Sequence, residues 1–110
     1  MNKLTQIGIL LLAALLEAGG DAILRKAVHL PAGIARVLAL LAGAAILFLY
    51  GITVNTPSWD FGRLLGIYVV FFFVIAQAIS WLVFSQPPNA ATWMGGALIV
   101  AGGLVLYAGA

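Results

Sequence analysis

The amino-acid sequence predicts an all-α integral membrane protein with four transmembrane helices. Composition, the length of the apolar runs and the turn residues between them support this prediction. Of the 110 residues, 65% are hydrophobic and 7% are charged, whereas roughly 25% of the residues in a soluble domain are charged. The mean hydropathy is +1.19. A soluble core of this size cannot bury so many apolar side chains, so we expect lipid to surround the chain.

The first two apolar runs are separated by a loop that contains helix-breaking residues. A hydrocarbon core about 30 Å thick requires about 20 helical residues. Helix 1 is predicted over residues 4–24, ending at Arg25-Lys26, and Pro31 and Gly33 follow in loop 1. The basic start and the apolar run resemble a signal peptide, but the run continues past two acidic residues and three more spans follow. Helix 2 is predicted over residues 34–54.

The second half of the chain repeats this organisation. Helix 3 is predicted over residues 62–84, between loop 2 (residues 55–60) and a tight loop 3 (residues 85–89). Helix 4 is predicted over residues 91–109. Backbone groups in lipid must be hydrogen-bonded within their own segment, which favours helices for all four spans. We therefore expect residues 1–110 to form a single membrane domain.

The basic residues specify the orientation of the chain only weakly. Four spans place both termini and loop 2 on one side, with Lys3 and Arg63, and leave Arg25, Lys26 and Arg36 on the loop 1 side. Membrane orientation depends on such counts, and two against three is almost balanced. The chain is therefore predicted to insert in both directions. The basic residues are scattered, which gives no support for nucleic-acid binding.

Two acidic residues within helix 1 are the main candidates for a functional site. Glu17 and Asp21 are four residues apart and share one helix face. An ionisable residue at the centre of a transmembrane helix costs on the order of 2.5–3.5 kcal/mol to insert, and it usually marks an ion, proton or substrate pathway. We interpret Glu17 as a proton- and substrate-binding residue, because a proton and a cation can compete for a desolvated carboxylate. Asp21 is a second candidate, and a simple pair with Arg25 one turn later explains it equally well.

Helices 3 and 4 supply further candidates. Tyr68 and Gln77 are polar residues in an apolar span and are candidate substrate-binding residues, although nine residues separate them and they should point in opposite directions. Small residues allow two helices to approach closely, so the glycine pairs of helix 4 predict either a dimer interface or packing within one chain. These glycines are Gly95, Gly96, Gly102 and Gly103.

The chain has no pattern typical of an enzyme. It has no cysteine, and it lacks the spacing of a metal site, a phosphate-binding glycine loop and a catalytic Ser/His/Asp arrangement. The sequence therefore predicts a protein that is not an enzyme and binds no cofactor or metal.

Two stretches of the chain resemble the small multidrug resistance proteins of the drug/metabolite transporter superfamily. Residues 16–25 (LEAGGDAILR) resemble the first helix of that family, and residues 80–86 and 93–103 resemble the end of its third helix and its fourth helix. The resemblance covers almost the whole chain. It implies an antiparallel, dual-topology homodimer in the bacterial inner (plasma) membrane, with both copies of Glu17 in one site that exchanges protons for organic cations. It also implies that helix 4 forms the dimer contact.

The sequence departs from the family pattern on helix 3. Leu65 and Tyr68 stand where the family has a Tyr and a Trp, and residues 70–72 replace a Gly-x-Gly hinge. Gly62-Arg63 followed by Tyr68 instead resembles the YnfA-like branch. We therefore expect proton-coupled export of a cationic or amphipathic compound. The alternatives are a non-transporting membrane subunit or scaffold and a component of a lipid-carrier flippase.

Overall fold

The computed structural model describes residues 1–109 and contains four α-helices within that range. They are α1 (Lys3–Val28), α2 (Ile34–Val54), α3 (Phe61–Phe84) and α4 (Ala90–Ala108). Each helix is long and apolar enough to cross a membrane. The prediction of an all-α, four-span integral membrane protein is confirmed.

Helix α1 continues four residues beyond the end predicted from the sequence. Arg25 and Lys26 lie in its last turn rather than after it. Positive side chains are favoured there, because the carboxyl end of a helix carries partial negative charge. The Nδ1 atom of His29 lies 2.8 Å from the carbonyl oxygen of Arg25, and Pro31 follows in the loop. The basic pair therefore belongs to the helix, and the loop begins at His29.

Polar side chains satisfy backbone groups at the helix ends. The Asn2 side chain accepts a hydrogen bond from the Thr5 amide at 2.8 Å, and Asn89 accepts one from the Thr92 amide at 2.9 Å. These are N-cap contacts, which satisfy amides that have no partner within the helix. These two asparagines therefore define where α1 and α4 begin.

The turn between α3 and α4 has a left-handed residue that is not glycine. Ser85 has φ 56° and is the one non-glycine residue with positive φ in residues 1–109. The Gln86 amide donates to the Ser80 carbonyl at 2.9 Å, which closes the last turn of α3. Pro87 and Pro88 follow, and proline cannot continue a helix. The sequence therefore imposes a sharp reversal between the two spans.

The four helices form a flattened array with α1 and α3 at its centre. Helix α1 packs against α2 and α3, and α4 packs against α3. The principal extents are 49 × 35 × 19 Å. No more than 28% of any span is buried within the isolated chain. One chain therefore leaves broad apolar faces available to lipid or to another membrane protein.

Contacts near the helix ends define two ends of the array. The Lys3 Nζ atom lies 5.4 Å from the centroid of the Tyr107 ring, and that ring lies 6.5 Å from the ring of Trp59 in loop 2. At the opposite end, the Arg25 guanidinium lies 5.5 Å from the centroid of the Phe84 ring. The termini and loop 2 therefore share one end, and loops 1 and 3 share the other.

Glycine permits the close approach of α1 and α2. A Cβ atom at Gly43 would lie 2.6 Å from the Leu24 side chain and 3.3 Å from the Gly20 carbonyl oxygen. A Cβ atom at Gly20 would lie 2.9 Å from the Leu47 side chain. Since these distances are shorter than a van der Waals contact, larger residues would separate the two helices.

We expect Gly43→Ile to destabilise the protein by about 1–3 kcal/mol, the usual cost of overpacking. The free energy of unfolding in detergent micelles measures this effect. Gly51→Ile is the matched control on the same helix, because no atom of residues 1–109 outside the local backbone lies within 4 Å of a Cβ built at Gly51. Equal effects of the two substitutions would show that α1 and α2 do not depend on this approach.

Candidate functional site

Glu17 and Tyr68 form the centre of the candidate site. Glu17 lies 11 residues before the end of α1, or about 16 Å along the helix, which is near the middle of the span. The Tyr68 hydroxyl of α3 donates a hydrogen bond to Glu17 Oε1 at 2.8 Å. Tyr68 is only 3% exposed. The structure thus brings together two candidates that are 51 residues apart in the sequence.

Small residues on α1 allow Tyr68 to reach Glu17. Ala13 and Ala14 lie one turn before Glu17 and are completely buried. They belong to the same core cluster as Ile67 and Tyr68 of α3. A methyl group occupies little space, so α3 can approach α1 at this level and the phenol can lie beside the carboxylate. Glu17 therefore gains a polar partner through the packing of its apolar neighbours.

Tyr50 of α2 completes the polar cluster, and the sequence analysis missed it. Its ring lies 5.7 Å from the Tyr68 ring, centroid to centroid, at an interplanar angle of 34°. Among the described side chains, only Tyr68 meets the Glu17 carboxylate at hydrogen-bonding geometry, and Tyr50 joins the site through its ring contact with Tyr68. A buried tyrosine usually has a hydrogen-bond partner, and this rule could have identified Tyr50. Three helices therefore contribute to the site.

The carboxylate of Glu17 retains capacity for a ligand. A carboxylate has about four lone-pair sites, and Tyr68 uses one of them. Within residues 1–109, no basic nitrogen lies within the 4.0 Å ion-pair distance of Glu17. Its hydrogen-bond partner is a neutral phenol, which leaves the charge of the carboxylate uncompensated. The arrangement can therefore bind a proton or a cation.

Asp21 lies one turn further along α1, beside a cavity between α1 and α3. This cavity has a volume of about 230 Å³ and its polar lining comes from Asp21, Arg25, Ser80 and Gln86. The structure records no ion pair between Asp21 and Arg25 in residues 1–109. The Arg25 guanidinium instead lies over the Phe84 ring. The local pair that the sequence allows is therefore not formed, and the Asp21 carboxylate remains beside the cavity.

Gln77 lies away from this cluster. It lines an apolar groove of about 610 Å³ between α3 and α4, together with Trp81 and Trp93. Tyr68 faces α1, so the two predicted helix 3 residues lie on different sides of α3. Gln77 is separate from the Glu17 cluster within one chain.

The glycine pairs of α4 divide between two faces. Gly96 and Gly103 are buried, and a Cβ atom at either would collide with α3 at less than 3 Å. A Cβ atom at Gly95 or Gly102 would meet no described atom within 4 Å outside its own local backbone. One glycine of each pair therefore packs within the chain, and the other lies on the free face of α4.

Comparisons of the chain with protein-family models, curated proteins and solved structures find no significant match. The fold and site define its class as a four-helix integral membrane protein with a carboxylate and two phenols between its helices. Residues 1–109 contain no group of three or more His, Asp or Glu side chains that could hold a metal ion.

A double-mutant cycle should detect the hydrogen bond between Glu17 and Tyr68. We expect Tyr68→Phe to lower the free energy of unfolding by about 1–3 kcal/mol, the range for hydrogen bonds that involve charged or buried groups. In a Glu17→Ala background the same substitution should have almost no effect, because the acceptor is already absent. Additive effects in detergent-solubilised protein would contradict the coupling. Tyr107→Phe serves as a control, since Tyr107 contacts Trp59 through its ring.

Proposed function

We propose that this protein is a small membrane transporter that exchanges protons for a cationic or amphipathic compound at Glu17. The observation that carries the proposal is the Glu17–Tyr68 hydrogen bond of 2.8 Å near the middle of the span. A membrane-embedded carboxylate satisfied by a neutral phenol can release one positive ligand and take up another. A carboxylate paired with a fixed arginine could not do so readily.

The aromatic side chains around Glu17 support a cation as the transported ligand. Tyr50, Tyr68 and Phe72 form a row of tilted rings, with ring centroids 5.7 and 6.3 Å apart. Aromatic faces attract organic cations, especially where water is excluded. The site thus combines a negative charge with aromatic surface, which suits a positively charged and partly apolar compound.

An antiparallel homodimer in a bacterial inner membrane is the proposed functional unit. The array is only 19 Å across in its thinnest direction, and a second copy would add another Glu17. The free face of α4, with Gly95 and Gly102, offers small residues for helix contact. The almost even distribution of basic residues supports insertion in both directions. Two inverted copies give a route to alternating access around one site.

A component of a lipid-carrier flippase is the second candidate function. The groove between α3 and α4 favours it, because its volume of about 610 Å³ and its lining of aromatic and aliphatic side chains suit an acyl chain. A flippase that uses this groove should tolerate the loss of Glu17, because Gln77 and the groove lie apart from that carboxylate. A non-transporting subunit would likewise tolerate the loss of Glu17. Cation exchange should not tolerate it.

We expect Glu17→Gln to abolish cation-driven proton flux in proteoliposomes, because glutamine cannot bind and release a proton at neutral pH. A panel of organic cations is imposed as gradients, and the internal pH is followed with a fluorescent dye. Asp60→Asn is the matched control, as Asp60 is exposed in loop 2 and makes no side-chain cap contact. Cation-driven proton flux that survives in Glu17→Gln would refute exchange at Glu17, whereas the absence of such flux from the native protein would favour the other candidates.

Single-cysteine variants should reveal both orientations of the chain. The protein has no cysteine, so Ala32→Cys in loop 1 and Ser58→Cys in loop 2 each provide a unique exposed thiol. We expect a membrane-impermeant reagent to label about half of each population in intact cells and the other half in inverted vesicles, because the charge bias is only one residue. Exclusive labelling of one loop from one side would contradict an antiparallel homodimer of this chain.

A further inference from the structure

The groove between α3 and α4 runs from the loop 3 end toward the middle of the membrane. It extends along α4 from Thr92 to Leu104, which is about 18 Å of helix. Half of a hydrocarbon core about 30 Å thick is about 15 Å. The volume of the groove is about 610 Å³, and no charged side chain of residues 1–109 lines it. The groove therefore has the depth of one lipid leaflet.

Two tryptophans line the groove where it meets the membrane interface. Trp81 lies in the last turn of α3, and Trp93 lies in the first turn of α4. Tryptophan is enriched at the level of the lipid headgroups, because its ring is amphipathic. The hydroxyl of Thr92 at the same level donates to Asn89 Oδ1 at 2.9 Å. The mouth of the groove therefore lies at headgroup level, beside loop 3.

Two basic side chains lie at the same end of α3. The Lys26 Nζ atom lies 5.7 Å from the centroid of the Phe84 ring, and the Arg25 guanidinium lies 5.5 Å from it. Within residues 1–109, neither cation has an acidic partner at the 4.0 Å ion-pair distance. Phe84 is three residues from Trp81, and residues three apart on a helix have Cβ atoms about 5–6 Å apart. Two unpaired positive charges therefore lie within about one helical turn of the groove.

The charged side chains in this half of the protein favour an anion. Asp21 is the one acidic residue in the half toward loops 1 and 3, and it lies four residues deeper on α1 than Arg25, or about 6 Å. Three basic residues outnumber it, and positive charge remains in excess when Glu17 at the middle of the span is included. These basic residues are Arg25, Lys26 and Arg36. A phosphate group would neutralise part of this charge, and arginine can bind phosphate through two parallel hydrogen bonds.

We propose that one anionic phospholipid binds at this end, with an acyl chain in the groove and its phosphate held by Arg25 and Lys26. The apolar groove accommodates the chain, and the unpaired cations beside its mouth favour an anionic headgroup over a zwitterionic one. Basic sites beside transmembrane helices bind such headgroups. This binding goes beyond the cation exchange proposed at Glu17 and does not depend on it, because lipid selectivity is measured without a gradient.

Quenching of tryptophan fluorescence by brominated lipid tests this proposal. The chain has three tryptophans, so Trp59→Phe with Trp93→Phe leaves Trp81 as the only reporter. The full-length protein is placed in vesicles of phosphatidylcholine and phosphatidylglycerol, in which one lipid at a time carries brominated chains. Because bromine quenches tryptophan only at close range, the two titrations give the ratio of the lipids' binding constants beside Trp81. If that variant does not fold, Trp59→Phe with Trp81→Phe leaves Trp93 as the reporter.

We expect phosphatidylglycerol to bind beside Trp81 at least about fivefold more strongly than phosphatidylcholine. Arg25→Gln and Lys26→Gln should each lower this ratio about fivefold, which corresponds to about 1 kcal/mol, the contribution of one basic residue near an anionic membrane surface. Arg36→Gln is the matched control, because it removes one positive charge from the same end. Arg36 lies on α2, which packs mainly against α1, so its loss should leave the ratio at Trp81 nearly unchanged.

A substitution on α4 tests the position of the acyl chain. Ala97 lines the groove, whereas the neighbouring Leu98 does not. Ala97→Phe should therefore lower the quenching by either brominated lipid, and Leu98→Phe should not. Equal quenching in these two variants would overturn the assignment of the chain to the groove.

Two other outcomes would contradict the proposed lipid. Equal affinity for the two lipids, or a preference that Arg36→Gln lowers as much as Lys26→Gln, would overturn the assignment of the phosphate to Arg25 and Lys26. Quenching that is lost as the ratio of protein to lipid rises would assign the groove to a second copy of the chain and overturn the proposal.

Discussion

The need to satisfy a carboxylate inside the membrane determines how the central helices pack. Glu17 lies near the middle of α1, where water is not freely available to hydrogen-bond its oxygens. The Tyr68 hydroxyl supplies a hydrogen bond at 2.8 Å, and this requires α3 to approach α1 closely. Ala13 and Ala14 permit that approach because they are small and fully buried. The polar contact and the apolar packing therefore depend on each other.

The chemical nature of this partner has functional consequences. An arginine would compensate the carboxylate permanently, and a desolvated ion pair is difficult to break. A phenol stabilises the carboxylate through a hydrogen bond but adds no charge, so the site keeps its affinity for positive ligands. The ring of Tyr68, with those of Tyr50 and Phe72 on either side, provides aromatic surface next to this charge. The proposed exchange of a proton for a cation follows from this combination.

The sequence predicts the helices well because their signals are local. Long apolar runs define the spans, and Pro31, Pro57 and Pro87 fall in the loops between them. The end of α1 was predicted too early because Arg25 and Lys26 were interpreted as a boundary, although the last turn of a helix accommodates cations. Tyr68 could be selected as a candidate because a buried hydroxyl requires a partner.

Contacts between helices could not be predicted in the same way. The relative rotation and height of two helices depend on packing across all four spans, which one sequence does not specify. For this reason Tyr50 was missed. The nine residues between Tyr68 and Gln77 did predict that they lie on different sides of α3, but not which of the two faces Glu17. For the same reason, the sequence alone does not show which glycine of each pair packs within the chain. In the structure Gly96 and Gly103 face α3, while Gly95 and Gly102 remain free. The cavity at Asp21 likewise depends on residues that are distant in the sequence, such as Arg25 and Ser80.

The central claim is that a proton and an organic cation compete for the Glu17 carboxylate. The most direct test is to count the protons released when the purified protein binds an organic cation. The measurement is made in weakly buffered detergent solution with a pH indicator, at a pH where the native protein binds the cation. Competition at Glu17 predicts that the native protein releases protons on binding and that Glu17→Gln releases none. Cation binding without proton release, or equal release from Glu17→Gln, would contradict the account.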